Sequence, residues 1–270
     1  MDEPSQQAPA ALPDLVVIGA MKCATTALHA YLDAHPAIAM WCGKEANFFT
    51  GDETAPPVAP EEWWRHGQWH RGVDWYASLF DPFAKLRGES SPGYTAPDNP
   101  LTAERMAKVV PQARLICLVR EPVQRAASQF AHHVRDGDER RPIGEALLDP
   151  KSQYVDRSRY HDRLGPFLAH FPREQVLVVV QERLRDRRRA ELRRVYEHVG
   201  ADPGWWDDSL EAEWHVGGSE VVVPDAVAAR FRDDVADDVT RLRDLLDDEI
   251  PEWDQRRSHL CGSAPLHSRG

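Results

Sequence analysis

Lysine is scarce in this 270-residue chain. Only five of its 33 basic residues are lysines (Lys22, Lys44, Lys85, Lys108 and Lys151), the rest being arginine. Long hydrophobic runs are missing as well: the longest uncharged apolar stretch, Leu15 to Met21, has seven residues, where a membrane-spanning helix needs about 20. The four cysteines, Cys23, Cys42, Cys117 and Cys261, show no CxxC and no Cys/His spacing, which argues against structural zinc or a disulfide framework. No metal is expected. The N-terminal MDEPSQQAPAALPD is acidic and lacks an apolar stretch, unlike a secretory signal. With 44 acidic residues against 33 basic ones, the formal net charge is −11. Such a field repels polyanions, so neither nucleic acid nor an anionic membrane is expected as a partner. A local basic pocket for a small anion remains compatible with it. These absences describe a soluble, cytoplasmic protein, and the arginine bias points to a bacterial one.

A hydrophobic fraction of 42% is enough for a real core, and the length suits one large α/β domain. Residues 1–12, rich in Pro, Ala and Gln, read as a disordered leader, 13–260 as one domain, and 261–270 as a flexible tail. Asp14–Gly19, Arg114–Val119 and Gln175–Val180 are short β-branched runs of the kind that form buried parallel strands. Helical spacing follows each of them, over Thr25–Ala34, Val123–Val134 after Pro122, and roughly 182–199; a last long helix is expected from Asp225 to about Asp247. Alternating strands and helices imply a parallel sheet flanked by helices. The segment 51–98, with Trp63, Trp64, Trp69 and Trp75, reads as long loops with short helices, either a substrate wall or a packed insertion. The arginine-rich run Glu182–Arg194 has interspersed acids and an apolar side at Leu184, Leu192 and Val195, which makes it a solvated amphipathic face rather than a nucleic-acid site.

The chemistry concentrates in a few motifs. Gly19-Ala-Met-Lys-Cys-Ala-Thr-Thr26 joins the first strand to the first helix, where backbone N–H groups and a positive helix end make a P-loop-like anion site. It is not a Walker A loop, because Lys22 precedes Thr25 by three residues and no Gly-Lys pair stands before the hydroxyls. A second strand ends in Arg120-Glu-Pro, with Ser128 eight residues on. Strand ends at the carboxyl edge of a parallel sheet face the ligand crevice, so Arg120 and Ser128 can clamp a second phosphate, unless Arg120 is paired with Glu121 or a neighbouring acid.

These motifs resemble those of the sulfotransferases that use 3′-phosphoadenosine-5′-phosphosulfate (PAPS). IGAMKCATTAL is similar to the family's 5′-phosphosulfate loop and RLICLVREPVQRAASQF to its 3′-phosphate strand and helix. His35-Pro36, Lys44-Glu-Ala-Asn-Phe-Phe49, Gly72-Val-Asp-Trp-Tyr76, Gly88-Glu-Ser-Ser-Pro-Gly-Tyr94 and Tyr160-His161 are similar, in order, to segments of the carbohydrate branch typified by the heparan-sulfate enzymes. The resemblance implies that PAPS is the sulfuryl donor and that no metal is required. It implies that Lys22 neutralises the departing phosphate, that Cys23, Ala24, Thr25 and Thr26 hold the 5′-phosphate, and that Arg120 and Ser128 hold the 3′-phosphate. Glu45 falls at the position of the branch's general base, and Lys44, Asn47, Phe48, Ser90 and Ser91 fall at acceptor-facing positions. His66, His70, His132 and His133 are rival bases, because other branches use a histidine.

The departures are informative. Asn47 and Ser90 stand where the branch has His and Lys, which argues against a heparan-like acceptor and for another sugar or a small molecule, such as a natural product being tailored. The basic C-terminal loop of the relatives has only Trp214–Ser219 as its counterpart here, so Gly218 and Ser219, with His215, are the cofactor contacts expected there. Two other readings remain: an ATP-dependent P-loop-type kinase, and a non-catalytic nucleotide-binding protein.

Overall fold

Five short extended runs lie side by side, all in the same direction. In the computed structural model, which describes residues 11–211 and 221–254, they are β1 (Leu15–Gly19), β2 (Ile38–Met40), β3 (Leu86–Ser90), β4 (Arg114–Val119) and β5 (Val176–Val180). The sheet order is β2-β3-β1-β4-β5, with parallel register throughout. Around it pack α1 (Thr25–Asp33), α2 (Trp63–His66), α3 (Gly72–Ala77), α4 (Thr102–Val109), α5 (Pro122–Asp136), α6 (Ile143–Leu148), α7 (Gln153–Asp156), α8 (Tyr160–His170), α9 (Gln181–Asp186), α10 (Arg188–Val199) and α11 (Asp225–Leu246). The result is a single α/β domain. β1 is buried at every position, as a strand covered on both faces must be. A second apolar cluster joins α5, α6, α7 and α11 through Val123, Phe130, Leu147, Tyr154 and Phe231.

The topology places a crevice. β1 continues through α1 toward β2 on one side of the sheet, whereas β4 continues through α5 toward β5 on the other. Neighbouring strands whose connections leave in opposite directions open a cleft at their carboxyl ends. The residues just after β1 and β4 therefore flank one site.

Three expectations are corrected. The segment 51–98 contains a true strand, β3, next to β1 in the sheet. The run 182–199 is two helices, breaking at Arg187, and both halves pack on β5. Leu184, Leu192 and Val195 are buried, while Arg183 pairs with Asp248 and Glu252 and Arg194 with Glu191. That run is thus occupied by internal ion pairs. Ala11 is also buried and Leu12 packs on the core, so the packed chain starts before residue 13. No helix among the described residues is long and apolar enough to cross a membrane.

Gly19 closes β1 where Thr95 crosses it: a Cβ at residue 19 would collide with the Thr95 hydroxyl. Gly19→Ala should cost about 1–3 kcal/mol of stability by overpacking. In a urea-denaturation double-mutant cycle, Thr95→Ala should recover most of that loss; equal losses in both backgrounds would contradict the steric account.

Candidate active site

β1 carries one extra residue against β4, with a register shift between Val17 and Gly19, a bulge of the kind that re-aims a strand end. The Ala20 N–H still reaches Leu118 O at 2.8 Å. Lys22 (φ 69°) and Ala24 (φ 68°) then adopt the left-handed conformation. For residues with a Cβ each such conformation costs about 1–3 kcal/mol and persists where the surroundings over-determine it. Left-handed residues in a turn are the backbone pattern that lines an anion-binding concavity with N–H groups. α1 starts immediately after Ala24, which provides no side-chain cap, and its first turn holds no acid. Its positive end is left open to an anion. Cys23 is different from its neighbours. Its N–H donates to Ala20 O at 3.2 Å, and its buried thiol lies 3.7 Å from the Tyr160 hydroxyl, with burial pushing its pKa up to about 11.

The chain after β2 folds over this loop. Lys44 Nζ donates to Thr26 Oγ1 at 2.6 Å and lies 3.4 Å from Glu45 Oε1. Lys44, Glu45 and Asn47 all have positive φ, so the strained residues cluster on both walls of the crevice. Burial, together with the charges of Arg135, Arg120 and Lys44, lowers the Lys22 pKa. The charge of Asp136 opposes that lowering.

Arg120 sits where β4 ends. The Tyr160 hydroxyl donates to Arg120 O at 2.7 Å and accepts its N–H at 3.3 Å, and Arg120 Nη1 approaches Lys22 O at 3.4 Å. Pairing with Glu121 does not occur. The Glu121 carboxylate accepts the Gln124 N–H at 2.8 Å as the α5 cap and pairs with Arg232 at 3.0 Å. No carboxylate among the described residues lies in ion-pair distance of Arg120. Ser128, half-buried, is on the next helix, α5.

Several residues expected to face the acceptor are instead engaged by the protein. Phe48 is fully buried and stacks on Tyr76 at 4.3 Å. Ser90 and Ser91 are fully buried; Ser90 Oγ lies 3.0 Å from His29 Nδ1 and Ser91 Oγ donates to Glu89 Oε2 at 2.6 Å. Asn47 Nδ2 donates to Trp64 O at 2.8 Å, tying the aromatic segment to the Glu45 segment. Gly218, Ser219 and His215 lie outside the described residues. Of the rival histidines, His66 is exposed and His70 packs edge-on against Trp63 at 4.7 Å. His133 Nδ1 is 3.0 Å from the Tyr154 hydroxyl. His132 is the one within reach of Lys22: burial and then the Lys22 charge lower its pKa, against the opposing charge of Asp136, 3.3 Å away.

Sequence reasoning passed over His29 and Arg157. His29 lies three residues beyond Thr26, hence on the same helix face, and burial followed by the Lys44 charge lowers its pKa. Arg157 reaches Met21 Sδ at 3.3 Å, and burial lowers its pKa to about 10; nothing in its local sequence signals this. His161, Asp162 and Asp238 come within 4.8 Å of one another as potential metal ligands. Asp238 there accepts the His161 and Asp162 N–H groups at 3.0 and 2.9 Å, and Arg241 pairs with both acids, which is the geometry of a capped helix start.

The sequence model of the sulfotransferase family matches residues 13–208. This chain belongs to the sulfotransferase family. It is 30% identical over 190 residues to a bifunctional heparan sulfate N-deacetylase/N-sulfotransferase 1 of Caenorhabditis elegans, covering 64% of this chain and 20% of that protein. It is 29% identical over 211 residues to mouse heparan sulfate glucosamine 3-O-sulfotransferase 3A1, covering 74% and 48%. The sulfotransferase of Alicyclobacillus acidocaldarius superposes with a TM-score of 0.76 at 27% identity, over 91% of this chain and all of that one. This sulfotransferase thus spans less than half of those curated relatives.

Burial of the loop cysteine gives a direct check. Because the thiolate is the reactive form, Cys23 and Cys117, both buried, should resist a thiol reagent at neutral pH in a Cys42→Ser, Cys261→Ser variant until the protein is denatured. Rapid labelling of Cys23 in the folded variant would refute the loop geometry.

Proposed function

We propose that this sulfotransferase moves the sulfuryl group of PAPS to a hydroxyl of a small-molecule or sugar acceptor by direct in-line displacement. The observation that carries the reading is the approach of Arg120, after β4, to Lys22, after β1, with Nη1 3.4 Å from Lys22 O, and of Lys44, bonded to Thr26 and beside Glu45. Lys22 and Arg120, neither in an ion pair among the described residues, together with an uncapped helix start, fit a nucleotide carrying two separate phosphate groups. Ala24, Thr25 and Thr26 would hold the 5′-phosphate, and Arg120 and Ser128 the 3′-phosphate. Bound there, the donor supplies a sulfuryl group whose bond to the 5′-phosphate oxygen breaks as the acceptor oxygen takes its place. Lys22 presents its ammonium to the oxygen that gains negative charge. Glu45 receives the proton of the acceptor hydroxyl at its carboxylate, and Lys44 holds that carboxylate against Thr26. His132 is the second choice of base.

The acceptor class follows from what surrounds Glu45. Trp64, 44% exposed, is tied at its backbone carbonyl to Asn47 and has Arg65 5.2 Å from its ring, and its exposed aromatic surface suits a ring-shaped body. Arg71 and Arg105 stack on Trp75 and Trp69 at 3.9 and 4.7 Å, which braces the rest of the aromatic segment as wall rather than contact surface. With heparan-type His and Lys replaced by Asn47 and Ser90, a neutral sugar or a ring-bearing natural product fits better than an acidic polysaccharide. Composition favours a bacterial, cytoplasmic tailoring step.

Calorimetric titration with 3′-phosphoadenosine-5′-phosphate, the desulfated product, tests the donor. Magnesium-independent binding that is lost in Arg120→Ala is expected; binding of ATP with Mg²⁺ but not of the bisphosphate would replace this reading with the kinase one. For the chemical step, Glu45→Gln should lower kcat by about 10²–10⁴-fold with product affinity retained. Lys22→Ala should abolish turnover while the protein stays folded, and retained turnover would remove Lys22 from the mechanism.

A further inference from the structure

The Glu45 segment is anchored by a carboxylate that takes no part in the reaction. Glu89, at the end of β3, is fully buried. Its Oε1 accepts the Tyr76 hydroxyl at 2.7 Å and the Tyr94 hydroxyl at 2.6 Å, and its Oε2 accepts Ser91 Oγ at 2.6 Å. The Ala46 N–H is a fourth donor. Both carboxylate oxygens are thus engaged as acceptors. Burial raises the Glu89 pKa, and these hydrogen bonds oppose that rise. No basic side chain among the described residues forms an ion pair with it.

Two of the hydroxyls act as relays. Ser91 Oγ accepts the Asn47 N–H at 3.0 Å, and the Tyr94 hydroxyl accepts the Phe48 N–H at 3.0 Å. The Glu45 N–H itself donates to Ser90 O at 2.8 Å. Four consecutive amides, 45 to 48, thus end on the tip of β3, three of them on Glu89 or on a hydroxyl that Glu89 orients. That stretch includes the left-handed Glu45 and Asn47, with the left-handed Lys44 just before it, conformations that endure only where neighbours dictate them.

We propose that Glu89, acting through Tyr94 and Ser91, is the positioning residue that fixes Glu45 against Lys44 and Thr26 for proton transfer. The proposal rests on the reading of Glu45 as the base. It explains why a carboxylate is buried in a strand that offers it no cation: the polar network replaces side-chain packing where a strained backbone must be held in one geometry.

The two tyrosines provide the test, because each gives one hydroxyl to the same oxygen of Glu89, and only Tyr94 passes the bond on to the Glu45 segment. Tyr94→Phe should lower kcat about ten- to hundredfold, the scale of a misplaced catalytic group. Affinity for 3′-phosphoadenosine-5′-phosphate should be unchanged, and Tyr76→Phe should keep kcat within about twofold of wild type. Equal losses in both variants, or no loss in Tyr94→Phe, would overturn the proposal. Should Tyr94→Phe fail to fold, Ser91→Ala carries the same expectation. Amide hydrogen exchange supplies a readout independent of turnover: Tyr94→Phe should speed exchange at Phe48, and Tyr76→Phe should not. If the wild-type protein neither binds the bisphosphate nor transfers a sulfuryl group, the functional reading fails. Exchange at Phe48 would then decide whether Glu89 still orders the segment. If wild type is active and the two tyrosine variants are indistinguishable, the positioning role alone is lost.

Discussion

Like charges gathered at one edge of the sheet are the constraint that the rest of the molecule serves. Lys22 lies within reach of Arg120, Lys44 and Arg135, and burial and their repulsion weaken its hold on a proton. Lys44 has Glu45 beside it and Arg135 has Asp136, whereas Arg120 has no such partner among the described residues. Here Glu121, the acid nearest Arg120 in sequence, is spent on capping α5 and pairing with Arg232. Arg120 is thus left without an acid, and an anionic ligand is its natural complement. Stability given up for a site of this kind is a familiar trade.

Holding that arrangement requires rigid walls on both sides. On the β3 side, Glu89 and its hydroxyls hold the backbone of the Glu45 segment. On the β4 side the anchor is Arg125, also fully buried, whose guanidinium donates to Ser158 Oγ at 2.8 Å, Gln129 Oε1 at 2.7 Å and Tyr154 O at 2.8 Å. Next to it, Tyr160 clasps both backbone groups of Arg120. Each hub is a buried charge satisfied by neutral dipoles rather than by an opposite charge. Such hubs tolerate little displacement, because an unpaired buried charge is costly. The phosphate-type loop is suspended between them.

How much of this was legible depends on where the signal lived. β1, β4 and β5 are β-branched runs and could be read directly, as could α1, α5 and α11, whose apolar spacing is long enough to register. β3 escaped because LRGES offers a single large apolar residue; its inner positions are the polar Glu89 and Ser90, buried on account of a network that only the fold assembles. β2 is three residues long, too short for periodicity. In the site, Lys22, Thr26 and Arg120 were readable from motifs at strand ends, and Lys44 and Glu45 only from the family resemblance. The directions of side chains were not. Ser90, Ser91 and Phe48 point inward, Asn47 is committed to Trp64, and the thiol of Cys23 turns to Tyr160, all settled by contacts more than 15 residues away in sequence.

The central claim is that two distinct phosphate positions exist, one on the β1 loop and one between Arg120 and Ser128. Phosphorus NMR of bound 3′-phosphoadenosine-5′-phosphate addresses it directly, since the two phosphates give separate resonances. The account predicts that Thr26→Ala shifts the 5′ resonance and leaves the 3′ resonance in place, and that Ser128→Ala does the reverse. Both substitutions moving the same resonance, or neither moving any, would contradict it.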